Sequence, residues 1–169
     1  KWRGMYFNAV SGVLERAGKL GEYQRLMPET YSPLRMYPAG ELLEHVAVAG
    51  ALLRSPQDVH AGMHEVGRDN ALYFARSLLG RTMLRLLDED PYRVLQQGVA
   101  GRRQSATYGR WRLERTGERS ALMHFEQEYG WIESYMLGAG IGTFESVGVT
   151  GSFEVELDGP YDGRHVIRW

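Results

Sequence analysis

Three residues that could hold a ligand occupy every second position in the C-terminal half of the chain. His124, Glu126 and Glu128 alternate with other side chains, and alternate residues of a β-strand project from the same face. An imidazole and two carboxylates on one face could hold a cation or a hydrogen-bonding ligand if that face lines a cavity. The alternative is that they belong to the solvated outer face of a hairpin.

Four aromatic residues form a second candidate group. Trp131 and Tyr135 are four positions apart on an expected helix, and with Tyr73 and Phe74 they could line a pocket. Large aromatic residues at helical spacing also fill hydrophobic cores, which is the alternative. The candidate ligand-binding residues are therefore Tyr73, Phe74, His124, Glu126, Glu128, Trp131 and Tyr135. We expect no catalytic, cofactor-binding or metal-binding residue.

Two histidines are spaced as metal ligands can be on a helix. His60 and His64 lie four residues apart, so they could bind a metal from one side. The sequence offers no identifiable third ligand, and a polar helix face is the preferred interpretation.

A basic run, GRRQSATYGRWRLER, combines arginines with aromatic residues. Arginine beside tyrosine and tryptophan suits contact with phosphate or nucleic acid. Because Arg110 and Arg112 alternate with Trp111, the run is also typical of the solvated face of an amphipathic strand, and we expect no nucleic-acid partner. The arginines concerned are Arg102, Arg103, Arg110, Arg112 and Arg115.

The glycine-rich stretch GAGIGTF at residues 138–144 invites comparison with a dinucleotide-binding loop. Such a loop follows a buried parallel strand and needs further βαβ units. Here Ile132, Met136 and Ala139 follow helical spacing, and too few residues come afterwards. We expect Gly138 and Gly142 to lie on one side of a helix, where the missing side chains allow close approach of the sheet or a ligand.

Composition narrows the class of protein. The 169 residues include 20 basic and 21 acidic side chains, giving a net charge of −1, and no cysteine. This near balance of acidic and basic side chains predicts no global attraction to nucleic acid or an anionic membrane. The absence of cysteine excludes disulfides, thiolate zinc sites and cysteine nucleophiles. We expect a cytoplasmic protein without a membrane span.

The order of elements predicts an α+β fold. Residues 1–101 have mainly helical patterns. One of these patterns continues through Leu86 and Leu87 to Asp88, and Pro91 then opens a further helix to about Val99. Residues 102–169 predict a hairpin, a crossing helix and a second hairpin. We expect a single domain in which an N-terminal helical region packs on a small antiparallel sheet.

Several segments resemble haem-nitric-oxide/oxygen-binding domains: KWRGMYFNAVSGVLE, MYPAGELLEHV and SPQDVHAGMHEVGRDNALYFA. The chain resembles more closely an uncharacterised family expanded as paralogues in myxobacteria, whose members end in a short strand such as HVIRW. The 4-vinyl-reductase domains are similar at the closing hairpin. These resemblances imply an α+β fold, small-ligand binding and a signalling or sensing role.

The features that bind haem in the resembled domains do not carry over. Those domains take a proximal His from the helix before the first hairpin, whereas no His lies between Leu78 and Gly101. They clamp the haem propionates with Tyr-x-Ser-x-Arg, which aligns on His124-Phe125-Glu126-Gln127-Glu128, so that glutamates stand at the Ser and Arg positions. The carboxylates of these glutamates would repel the haem propionates rather than bind them. Cysteine-bound zinc, used by some vinyl-reductase relatives, is also excluded.

The sequence therefore predicts a bacterial, cofactor-free regulatory module that is not an enzyme. Its partner is a small-molecule ligand or another protein, with the oligomeric state left open and a dimer among the options. The alternatives are a haem-based gas sensor and a reductase resembling the 4-vinyl reductases.

Overall fold

The chain has an α+β fold in this computed structural model, which describes residues 1–77, 81–82 and 90–169. The N-terminal part is mostly helical, and two short strands, β1 and β2, pair antiparallel within it. The helical pattern expected to continue from residue 78 to Asp88 falls largely outside the described residues. The N-terminal elements are β1 (Trp2–Arg3), α1 (Gly4–Arg16), α2 (Leu20–Leu26), β2 (Met36–Tyr37), α3 (Ala39–Leu53), a 3₁₀ turn (Pro56–Asp58) and α4 (Val59–Arg76).

The C-terminal part is a four-stranded antiparallel sheet with a helix before it and a helix crossing it. The strand order is β3-β4-β6-β5, so the two hairpins meet through β4 and β6. This arrangement confirms the predicted fold class. The elements are α5 (Pro91–Ser105), β3 (Arg110–Gly117), β4 (Ser120–Glu126), a π-helical turn (Ile132–Met136), α6 (Leu137–Ser146), β5 (Ser152–Leu157) and β6 (Gly163–Arg168).

Local sequence signals explain where two of these elements begin. Ser55 Oγ accepts a hydrogen bond from the backbone N–H of Asp58 at 3.2 Å, which caps the turn that leads into α4. At α5, Asp90 Oδ1 accepts from the N–H of Tyr92 at 3.0 Å, and Pro91 occupies the first helical position. The helix start at Pro91 matches the sequence expectation.

Two hydrophobic cores lie on either side of the segment that runs from Ile132 to Ser146. The helical core contains residues of α1, α3 and α4, together with Tyr135 and Met136. The sheet core contains the inward face of β4 and β6, part of α5, and Ile132 and Phe144. The crossing segment therefore contributes side chains to both cores.

The GAGIGTF stretch lies in α6, as predicted, and its glycines pack closely against two different elements. A Cβ on Gly138 would lie 1.9 Å from the carbonyl oxygen of His64, and one on Gly142 would lie 2.3 Å from that of Arg68. A Cβ on Gly140 would meet the ring of Phe153 at 2.9 Å. The surface that Gly138 and Gly142 approach is thus α4, rather than the sheet or a ligand, and Gly140 faces β5.

Two element boundaries differ from the sequence prediction. Helix α5 continues past Val99 to Ser105, because Gly98 and Gly101 are accommodated within the helix. Strand β4 ends at Glu126, and Gln127 has a left-handed backbone with φ 52°. Glu128 is therefore outside the strand. Among the described helices, none combines the length and apolar character needed to cross a membrane.

Candidate functional site

The most unusual polar feature of the described structure is a buried ion pair between α5 and the loop that follows β4. Arg102 lies in the last turn of α5 and is 5% exposed, while Glu128 is fully buried at 0%. The Arg102 Nη2 and Nε atoms lie 3.0 and 3.3 Å from Glu128 Oε2. Because an unpaired charge is costly in the interior, each of these residues depends on the other.

Both carboxylate oxygens of Glu128 accept further hydrogen bonds. The indole Nε1 of Trp111 donates to Glu128 Oε2 at 2.7 Å, and the backbone N–H of Gly130 donates to Oε1 at 2.9 Å. The loop is fixed on its other side, where the Glu128 N–H donates to the Tyr161 carbonyl at 2.8 Å. The left-handed conformation of Gln127 turns the Glu128 side chain away from the strand face and into the interior.

Three aromatic rings surround the Arg102 guanidinium, and we call Trp2, Tyr108 and Trp111 the aromatic cage. The Arg102 Cζ atom lies 4.5 Å from the ring centroid of Trp2, 4.6 Å from that of Tyr108 and 5.5 Å from that of Trp111. Rings at these distances attract a cation through their quadrupoles. The cage and Glu128 together enclose the guanidinium.

The aromatic cage also joins the N-terminal strand β1 to the segment between α5 and β3. Trp2 Nε1 in β1 donates a hydrogen bond to the hydroxyl of Tyr108, which is 106 residues away along the chain. Burial, with a smaller contribution from the nearby Glu128 charge, raises the pKa of Tyr108.

The structure separates the three residues that the sequence places on one strand face. His124 and Glu126 do share the outer face of the sheet, where Glu126 pairs with Arg110 at 3.3 Å and His124 Nε2 lies 3.4 Å from Glu114 Oε2. Glu128 does not share it, because β4 ends two residues earlier. The predicted three-residue face is wrong for Glu128.

The four candidate aromatic residues also have separate surroundings. Tyr135 is 5% exposed, and its hydroxyl accepts a hydrogen bond from Asn70 Nδ2 at 3.0 Å inside the helical core. Trp131 is half-buried against the same core. Tyr73 is 44% exposed, and its ring lies 5.5 Å from the Arg16 guanidinium carbon, while Phe74 is half-buried on α4. Tyr73 thus faces α1, and Asn70 faces Tyr135.

His60 and His64 do not form a metal site in the described part of the chain. His60 is exposed, and its Nδ1 lies 3.4 Å from Ser134 Oγ and 3.6 Å from Glu133 Oε1. Burial lowers the pKa of the half-buried His64. Within residues 1–77, 81–82 and 90–169, no group of three His, Asp or Glu residues is arranged to hold a metal ion.

Two open clefts border the site. The first, with a volume of about 300 Å³, lies between α5 and β3 and is bordered by Trp111 on its inner side. The second, of about 430 Å³, lies beside Tyr108 and is lined largely by polar groups, including Arg110, Glu126 and Asp162. Both clefts are adjacent to side chains of the aromatic cage.

The sequence matches one family along its whole length. The model of a family described as protein of unknown function (DUF2378) covers residues 1–169. The chain belongs to the DUF2378 family. No curated protein matches the sequence.

Solved structures of H-NOX proteins share the fold of this DUF2378 chain. The Fe(II) unliganded H-NOX protein from K. algicida is 16% identical, with a TM-score of 0.71, covering 98% of this chain and 95% of that chain. The H-NOX protein from S. oneidensis in the Fe(II)NO ligation state is 11% identical, with a TM-score of 0.73 and 98% coverage of both chains. These likenesses confirm the resemblance to haem-nitric-oxide/oxygen-binding domains at the level of fold.

The central residue of this candidate site, Arg102, was not predictable as a buried group from the basic run that contains it. The run suggests a solvated face for all five arginines, and Arg102 departs from this because α5 extends far enough to carry it into the interior. The available signal is the pair of aromatic residues, Tyr108 and Trp111, that follow it. Trp2 and Glu128 are distant in sequence, so their contribution depends on the tertiary fold.

Proposed function

We propose that this DUF2378 chain is a haem-free, non-enzymatic regulatory module that acts by binding a small ligand or a partner protein. The observation that carries the proposal is the fully buried Glu128, bonded to Arg102, Trp111 and Gly130. The resemblance implies a carboxylate-binding arginine at the aligned position. The residue present here, Glu128, is itself a carboxylate and so has the opposite charge.

The charges around Glu128 argue against a haem propionate clamp. A clamp needs a cation with free hydrogen-bonding groups that can face two carboxylates. Arg102 is a buried cation near the aligned segment, but its Nε and Nη2 are directed to Glu128. A propionate entering this region would have to displace Glu128 and would leave that carboxylate unpaired in the interior.

The positions of the histidines argue against an axial iron ligand from α5. This helix precedes the first hairpin and contains no His. His45 is buried, with both ring nitrogens next to the hydroxyls of Tyr23 and Tyr31, and His165 donates through Nε2 to the Ile132 carbonyl at 2.8 Å. The other three, His60, His64 and His124, lie on α4 and on the outer face of the sheet.

The state of the buried polar groups favours binding over catalysis. A general acid or base must reach the proton that it transfers, whereas Glu128 is 0% exposed and its partners are protein groups. A binding module, in contrast, can use a saturated polar cluster to hold the surrounding elements in place.

Haem titration tests this proposal directly. Purified protein is mixed with equimolar ferrous or ferric haem, passed through a desalting column and examined for a Soret band, with the H-NOX protein from S. oneidensis as positive control. We expect the control to retain the band and this chain to lose it. A stoichiometric Soret band that survives the column would overturn the haem-free assignment.

A further inference from the structure

The cleft between α5 and β3 combines an apolar floor with a cationic rim. Its floor is formed by Val99 from α5 and by Trp111 and Leu113 from the inward-facing side of β3, and Tyr92 borders it. Gln96 and Arg103 line it from the exposed side of α5, and Arg112 of β3, which is paired with Glu114, also borders it. The cleft is therefore amphipathic, with a donor-rich edge above rings and aliphatic side chains.

Arg103 differs from Arg112 and Arg115 because its guanidinium has no hydrogen-bonding partner among the described residues. Arg112 pairs with Glu114 at 2.9 Å, and Arg115 donates to the carbonyls of Gly117 and Glu118 at 3.1 and 2.7 Å. In the part of the chain that the structure describes, the Arg103 side chain forms no ion pair and no hydrogen bond. A guanidinium fork without a partner is complementary to a carboxylate.

We propose that this cleft binds a small carboxylic acid with an apolar body. The carboxylate bonds to Arg103 and the Gln96 amide, and the apolar body covers Val99, Trp111 and Leu113. The volume of about 300 Å³ lies at the lower end of ligand-site volumes and limits the ligand to on the order of ten non-hydrogen atoms. This inference rests on the proposed regulatory function and names the ligand class for it.

The position of Trp111 connects the cleft to the buried ion pair. One side of its indole borders the cleft, while its Nε1 donates to Glu128 at 2.7 Å and its ring lies 5.5 Å from the Arg102 guanidinium. A ligand that packs on Trp111 therefore contacts a side chain that holds the loop after β4. Binding in the cleft would change the environment of Trp111 and can be followed by its fluorescence.

The test uses 4-phenylbutyrate as the acid and 4-phenylbutyramide as its uncharged counterpart, titrated into the full chain by calorimetry and by tryptophan fluorescence. We expect the acid to bind more tightly than the amide. Arg103→Gln should weaken binding of the acid by about tenfold and leave the amide unchanged, because it removes a charge-assisted hydrogen bond. Arg110→Gln, on the outer face of the same hairpin, is the matched control and should change neither affinity.

A second variant tests the location of the apolar body. Ala100 is exposed and lines the cleft, so Ala100→Phe should obstruct the cleft without disturbing the core, and should weaken both compounds. Equal binding of acid and amide, equal effects of Arg103→Gln and Arg110→Gln, or no binding at millimolar concentration would overturn the carboxylate site. A retained Soret band in the haem titration would instead overturn the proposed function, so the two failures are distinguishable.

Discussion

At the scale of single residues, Arg102 and Glu128 form a buried ion pair in which each charge depends on the other. Glu128→Gln leaves the Arg102 guanidinium buried without its counter-charge, and we expect it to lower the free energy of unfolding by about 3–5 kcal/mol. Urea denaturation followed by circular dichroism measures this loss. Arg102→Met should cost a similar amount, and the double substitution should cost less than the sum of the two.

The matched control is Glu126→Gln, two positions earlier. Glu126 is exposed and pairs with Arg110 at 3.3 Å, and exposed pairs contribute about 1 kcal/mol or less. Equal losses for Glu126→Gln and Glu128→Gln would contradict the assignment of the buried ion pair as a mutually dependent unit. Additive single and double substitutions would contradict it as well.

At the scale of elements, the contact between α4 and α6 depends on side chains that are absent. In Gly138→Ala the new Cβ would lie 1.9 Å from the His64 carbonyl oxygen, so the two helices must separate. We expect a loss of about 1–3 kcal/mol of unfolding free energy, the range found for overpacking. Gly98→Ala is the control, because no atom of the described residues outside its helix lies within 4 Å of its Cβ position.

The control substitution, Gly98→Ala, should change the stability in the opposite direction. Alanine favours the helical backbone more than glycine by about 0.5–1 kcal/mol, so Gly98→Ala should raise the midpoint of urea denaturation while Gly138→Ala lowers it. If both substitutions stabilise the chain, the close approach of α6 to α4 is incorrect.

Helix α6 and the two hairpins were predictable from sequence because their apolar residues repeat at the helical and strand periods along the whole element. The end of β4 was not predictable in this way. Alternation of residue types continues from Glu126 to Glu128, whereas the left-handed backbone at Gln127 interrupts the strand. The position of Glu128 depends on Arg102 and Trp111, which adjoin it only after the sheet has packed against α5.

At the scale of the whole molecule, the crossing segment connects the helical core to the sheet core, and His165 is one of its contacts. This residue in β6 is 2% exposed, packs against the rings of Phe125 and Phe153, and donates to the carbonyl of Ile132 at 2.8 Å. Burial lowers the pKa of His165 from 6.5 to about 4, although the bond to Ile132 acts in the opposite direction. The folded chain therefore holds His165 neutral at pH values where an unfolded chain would protonate it.

The stability of the fold should consequently decrease as the pH falls from about 6.5 towards 4. In that window the unfolded state binds a proton at His165 that the folded state does not, and the lost stability is on the order of 3 kcal/mol. Urea denaturation from pH 7.5 to 4.5 measures the slope. His165→Gln should reduce the slope because glutamine has no titrating group, and the slope that remains includes His45 and His64, whose pKa values are also lowered by burial. His60→Gln on the exposed face of α4 should give a slope parallel to that of the unmodified chain. Equal slopes for all three proteins would show that His165 is accessible to protons in the folded state and that the sheet core does not close over it.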